Sequence, residues 1–200
     1  MSTSLSIITA MCLFSLSMSI SPGPVNMLAL STGVNHGFRK AVPFVSGATL
    51  GFTLLLFLIG LGLGQIATSV PYLMETLGFV GAAFICYIGI KIFQSDAQLE
   101  RGEETSSSFL HGALLQWLNP KAWIACLSGV SAFNLVSLDQ LTLFTLLYFA
   151  VCYPSIACWA LVGDKISRFL STEQNLKRFN QMMGGGLVVV GGYLGMMNLI

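Results

Sequence analysis

Ser21-Pro22-Gly23-Pro24-Val25-Asn26 interrupts an apolar run that extends from Leu5 to Val34. An unbroken helix over 5–34 would be about 45 Å long at 1.5 Å per residue. A hydrocarbon core measures only about 30 Å. Two prolines remove two backbone donors and oppose the preceding turn, while glycine loosens the chain between them. Inside a bilayer such a break survives only where protein or a water-lined cavity covers the freed polar groups. Asn26 follows the break and supplies hydrogen-bonding capacity there.

The surrounding composition makes a bilayer the right solvent to reason in. Of the 200 residues, 54 % are hydrophobic and 8 % charged, and the mean hydropathy is +0.79. Soluble domains carry about 25 % charged residues. Cutting at charges and turn signals leaves six apolar segments, 5–34, 41–64, 73–93, 109–134, 140–163 and 179–200. Alternating ten-residue segments, the mark of a membrane β-barrel, are absent. The expected fold is an all-α membrane protein with six transmembrane helices, the first and fourth broken at proline. The longest polar stretch, Gln94–Ser108, is too short for a sizeable extramembrane domain. Residues 1–200 therefore read as one transmembrane domain. A net charge of +1 gives no electrostatic case for nucleic acid. Leu5–Ile20 has no Lys or Arg before it, so it reads as a retained span rather than a secretory signal.

Basic residues in short loops set orientation. Arg39 and Lys40, Lys91 and Arg101, and Lys165, Arg168, Lys177 and Arg178 account for eight of the nine. They put loops 35–40, 91–108 and 164–178 in the cytoplasm and both termini outside. Glu75 and Asp139 fall on the outer face. The ninth basic residue, Lys121, lies about ten residues inside its span; ionisable groups at that depth are expensive and usually functional.

Lys121 belongs to a second interruption, Gln116-Trp117-Leu118-Asn119-Pro120-Lys121. Residues 1–93 and 109–200 thus each hold three spans with a proline-broken first helix, joined by a cytoplasmic loop at 94–108. Three is odd, so the halves would insert in opposite senses. Inverted repeats with discontinuous helices at matching positions point to a transporter's binding site. A half-helix starting after Pro24 would aim free N–H groups and its positive dipole end at the cavity. With Lys121 beside it, a carboxylate is the natural guest. A lysine that snorkels, or that serves as a structural cation against helix carbonyls, is the competing reading. The expected substrate site comprises Pro22, Gly23, Pro24, Asn26, Gln116, Asn119, Pro120 and Lys121.

The motif Ser21-Pro22-Gly23-Pro24-Val25-Asn26-Met27-Leu28-Ala29-Leu30, then Asn35-His36-Gly37-Phe38-Arg39 and Gly47-xxx-Gly51, resembles the LysE/RhtB family of amino-acid exporters. Asn119-Pro120-Lys121-Ala122 is similar to the family's other signature, and Gly81–Gly89 to its third span. The likeness covers essentially the whole chain. The His36-Gly37-Phe38-Arg39 loop and Cys158-Trp159-Ala160-Leu161 resemble the cysteine/O-acetylserine exporter branch most. Val25 departs from the pattern, since many relatives carry Asn or Asp directly after Pro-Gly-Pro. The resemblance implies a multi-pass protein of the bacterial inner membrane. It also implies export of small neutral amino acids, cysteine/O-acetylserine-like or threonine/homoserine-like, driven by the proton-motive force.

Other classes fit less well. A metal-ion or other cation transporter of related architecture would use membrane carboxylates, and no Asp or Glu lies deep in a span. An intramembrane enzyme would need a catalytic constellation, yet His36 and His111 sit at the cytoplasmic interface with no acidic partner nearby. His36 reads as a loop residue at a helix end. A purely structural scaffold has no need of paired breaks at mid-membrane. Cys12, Cys86, Cys126, Cys152 and Cys158 form no CxxC and read as small buried hydrophobes. No cofactor or metal is expected. The partners are a small amino acid, the lipid bilayer and protons, with homo-oligomerisation left open. The Gly47/Gly51 and Gly191/Gly195 pairs, with Gly60-Leu-Gly62-Leu-Gly64 and Gly184–Gly186, read as close-packing contacts between helices.

Overall fold

The computed structural model describes residues 5–63, 65, 69–70, 72–95, 108–170 and 172–197. They form eight α-helices and, among the described residues, no strand. In chain order these are α1 (Leu5–Ile20), α2 (Pro24–His36), α3 (Phe38–Leu58), α4 (Leu73–Gln94), α5 (Phe109–Trp117), α6 (Pro120–Ala132), α7 (Leu138–Ser167) and α8 (Glu173–Met197). A π-turn, Ile59–Leu63, extends α3.

The helix ends follow local chemistry. Pro24 and Pro120 each occupy the first turn of a helix. A missing N–H is no loss there, and the fixed φ suits a helix start. The expected clash with the preceding turn is thus avoided: α1 stops at Ile20, and α1 and α2 meet at 61°. Ser108 opens α5 in a capping box with His111, and Ser137 accepts from Gln140 N at 3.3 Å to open α7. Gly37 alone separates α2 from α3, at φ +82°, where an L side chain would be strained.

Three expected boundaries shift. Arg39 and Lys40 lie in the first turn of α3, not in a six-residue loop, and His36 is the last residue of α2 rather than a loop residue. The segment 164–178 is mostly helix, since α7 runs to Ser167 and α8 begins at Glu173. A charge marks the edge of the lipid, but a helix continues into water for as long as its backbone bonds hold. Arg101 and most of 94–108 lie outside the described residues. In the Gly60–Gly64 run, Gly60 packs against Leu141, but Gly62 has φ +112° and open space around it. Its role is backbone conformation, not packing. Gly64 lies outside the described residues.

Among the described residues, 38–63, 75–94 and 138–167 are long and apolar enough to cross a membrane, and the bent α1–α2 pair makes a fourth candidate. The fourth and sixth expected segments do not reach that standard. Residues 109–132 are divided into helices of 9 and 13 residues. The polar first turns of α8 hold Glu173, Lys177 and Arg178.

Packing pairs distant parts of the chain: α2 and α1 lie on α7, α5 lies on α3, and α4 lies on α8. Glycines permit the approach. A methyl on Gly33 would overlap the Ala160 carbonyl, and one on Gly163 the Leu30 carbonyl. Likewise Gly47 abuts the Phe109 carbonyl and Gly112 the Phe44 carbonyl, while Gly184 abuts that of Gly89. Between these seams an aromatic cluster fills the core. Phe144 meets Phe133 at 5.2 Å and Tyr148 edge-on at 5.7 Å, and Tyr148 stacks on Phe52 at 4.4 Å.

Candidate translocation site

Ending α1 at Ile20 leaves carbonyls without intrahelical partners, as every helix C-terminus does. In apolar surroundings each needs a donor. Asn26 donates Nδ2–H to Ser19 O at 2.7 Å and to Ser21 O at 2.9 Å. The Trp159 indole N–H, from α7, donates to Ile20 O at 3.1 Å. Lys121 Nζ, from α6, donates to Ser21 O at 3.1 Å, Ser21 Oγ at 2.8 Å and Pro22 O at 3.3 Å. The first break is therefore closed by a cation from the far half of the chain. Three protons on a lysine ammonium meet three neutral acceptors.

The second break is closed differently. Asn119 caps α6 by accepting from Lys121 N at 3.1 Å, and Trp123 donates its indole N–H to Trp117 O at 2.8 Å. Trp117 in turn donates to Gly51 O at 3.1 Å, which ties the break to α3. The start of α2 has no such cap: its N-cap is Gly23, and no side chain bonds the first-turn N–H groups there. A side chain at Gly23 would also press on Lys121, since a methyl carbon would sit 3.2 Å from Nζ.

A cavity of about 40 Å³ lies between the breaks. It is room for about three water molecules at ~10–15 Å³ each. Of the expected residues, Gly23, Asn26, Gln116, Asn119 and Lys121 line it. Asn26, Gln116 and Asn119 are buried, Lys121 half-buried. Gln116 makes no side-chain hydrogen bond among the described residues. Pro22, Pro24 and Pro120 do not line the cavity: Pro22 meets Lys121 through its carbonyl, and the other two start α2 and α6. Reasoning from sequence missed Ser19, Phe52, Tyr148 and Cys152, which also line the cavity. A hydroxyl within an apolar helix gives no sign of which way it faces. Among the described residues no group of three or more His, Cys, Asp or Glu is placed to hold a metal ion.

A bundle of apolar helices, two of them interrupted around a shared cavity, is the arrangement expected of a membrane translocator. The LysE type translocator model matches residues 16–198, and the chain belongs to that family. It is 30 % identical over 166 residues to the cysteine/O-acetylserine efflux proteins of Salmonella choleraesuis (strain SC-B67) and Salmonella typhimurium (strain LT2), across 81 % of this chain and 85 % of theirs. The protein of the same name from Escherichia coli (strain K12) is 28 % identical over the same lengths. No solved structure matches the chain.

Proposed function

We propose that this protein exports a small neutral amino acid, of the cysteine/O-acetylserine or threonine/homoserine kind, across the bacterial inner membrane, driven by the proton-motive force. The observation that carries the reading is the seat of Lys121, a cation from one half of the chain on the broken helix of the other, at a cavity. The substrate's carboxylate is a stronger acceptor than any of the neutral partners Lys121 now has, because hydrogen bonds between ionised groups are shorter and stronger. The Pro22 carbonyl, at 3.3 Å, is the contact most easily exchanged for it. The uncapped start of α2 adds N–H donors and a positive dipole end on the same side. Exchanging the carbonyl for the carboxylate loosens the tie between the halves, which is what alternating access requires. The present cavity is smaller than an amino acid, so loading must widen it.

The architecture we infer is six spans in two inverted repeats, 1–93 and 109–200, with both termini outside. The packing supports it. Exchanging first for fourth, second for fifth and third for sixth segment turns the α1/α2–α7 contact into the α5–α3 contact and returns α4–α8 to itself. A cation transporter is not favoured, since the charged group at the cavity is itself a cation.

The experiment is efflux from proteoliposomes preloaded with labelled cysteine, O-acetylserine, threonine, homoserine, leucine or lysine, with and without an imposed pH gradient. Gradient-dependent release of a small neutral member supports the proposal. Release of none, from vesicles holding folded protein, overturns it.

A further inference from the structure

Hydroxyls in these helices follow a rule with one exception at the cavity. Thr9, Ser15 and Ser17 on α1, and Ser21 just past its end, each donate to a carbonyl three or four residues earlier, at 2.7–3.1 Å. Thr49, Thr53 and Ser155 do the same on α3 and α7. Such back-bonding is how a serine satisfies itself in an apolar helix. Ser19 does not do it. Its residue is 8 % exposed, and its Oγ is buried without any hydrogen-bond partner. Thr145 Oγ1 is likewise unpartnered but does not line the cavity; Ser19 does.

The neighbours of Ser19 form a preorganised pocket wall. The Tyr148 hydroxyl and the Cys152 thiol lie beside it, and both residues line the cavity. Tyr148 is held by Phe52 on its face and Phe144 at its edge. Buried polar groups are almost always paired. One on the wall of a cavity can pair with an atom of a bound ligand.

We propose that Ser19 Oγ, flanked by Tyr148 and Cys152, reads the γ-atom of the substrate side chain, selecting amino acids that carry oxygen or sulfur there. This rests on the export reading above and gives it a substrate class. A hydroxyl both donates and accepts, so it pairs with an alcohol, a thiol or an ester oxygen alike. It offers nothing to a methyl group, and a methyl seated there would leave the hydroxyl unpaired.

The test compares near-isosteric substrates in counterflow with proteoliposomes: labelled serine or reduced cysteine against 2-aminobutyrate, in which a methyl replaces the γ-heteroatom. The wild type should prefer the heteroatom by about tenfold, the equivalent of about 1.4 kcal/mol, and Ser19→Ala should bring that ratio to within about twofold of unity. An unchanged ratio in Ser19→Ala, or a loss that falls equally on both substrates, overturns the assignment. Thermal stabilisation of the purified wild type by serine against 2-aminobutyrate needs no variant, and equal shifts overturn it as well. A wild type that carries no amino acid overturns the export reading and this inference with it; a wild type that carries both equally overturns this inference alone.

Discussion

Replacing Lys121 separates its clamp on helix carbonyls from the carboxylate partnership proposed for it. In Lys121→Gln the clamp is weakened but not all its acceptors are stranded. Ser21 O keeps Asn26, and Ser21 Oγ keeps its own bond to Met18 O at 3.1 Å. Only Pro22 O loses its sole partner, and that contact is exposed. Net hydrogen bonds to charged groups are worth about 1.5–3 kcal/mol each, and solvent access at a half-buried site reduces this. A loss of about 1–3 kcal/mol corresponds to roughly 2–12 °C at about 2–4 °C per kcal/mol. The variant should therefore fold.

The carboxylate term is larger. Unit charges about 4 Å apart at an effective dielectric constant near 20 attract by about 4 kcal/mol, from which the displaced carbonyl contact must be subtracted. A net of about 1.5–3 kcal/mol remains, or roughly 10–150-fold in affinity. The assay is inhibition of counterflow by cysteine and by its methyl ester, whose carboxyl carries no charge. The wild type should favour the acid by roughly that factor, and Lys121→Gln should erase the preference while abolishing most transport. Lys121→Arg keeps the charge and should keep the preference even if slower. A Lys121→Gln protein that transports within twofold of wild type, or that slows yet still prefers the acid, refutes the carboxylate role and leaves Lys121 a structural cation.

Three further outcomes test the scaffold. Asn26→Leu removes the sole donor to Ser19 O and one of two to Ser21 O, so purified protein should lose about 2–4 kcal/mol at ~1–3 kcal/mol per orphaned carbonyl; an unchanged melting temperature would refute the capping account. Gly33→Ala drives a methyl into the Ala160 carbonyl and should destabilise by at least about 1–3 kcal/mol, whereas Gly192→Ala, in open space, should be tolerated in the same thermal assay. Asn180, 1 % exposed, exchanges amide bonds with Asn35 at 2.9 and 3.0 Å and donates to Ser95 Oγ at 2.9 Å, tying α8 to α2 and to the end of α4. Asn180→Ala should cost about 2–4 kcal/mol and raise hydrogen exchange at the C-terminal turn of α2; wild-type protection there would show that the pair carries no load.

Much of this site was legible because a backbone break in lipid is a demand for partners. Pro22-Gly23-Pro24 and Asn119-Pro120 announce unsatisfied groups, and Lys121 announces a charge with nowhere else to go. The sequence does not disclose which side chains answer. Trp159 is 139 residues from the carbonyl it caps, and Lys121 is 100 from the hydroxyl it holds. Only the packing of α7 on α1, and the meeting of both breaks at one cavity, brings them there. Helix ends were poorly legible for a related reason. Charges at 39–40 and 164–178 report where lipid stops, while α2, α3, α7 and α8 stop where backbone hydrogen bonds do. Ser19 was invisible because its distinction is a rotamer and a missing bond, not a residue type.

The two breaks are unequal, and the inequality bears on how the site works. The second break is served by its own neighbours, with Asn119 capping α6 and Trp123 reaching back to Trp117 O. It can stay closed whatever the other half does. The first depends on Trp159 and Lys121, both from the other half of the chain. Any relative motion of the halves must therefore draw donors off the end of α1, and those carbonyls must then find others. Asn26 moves with its own break and keeps Ser19 O and Ser21 O satisfied throughout. What is left to be exchanged is the Trp159 bond to Ile20 O and the set of bonds on Lys121. A broken helix with Ser19 O and Ser21 O capped locally leaves only an indole and a cation to re-partner when it opens. On the proposed export reading, that asymmetry makes the lysine, rather than either proline motif, the element on which substrate and conformation would both act.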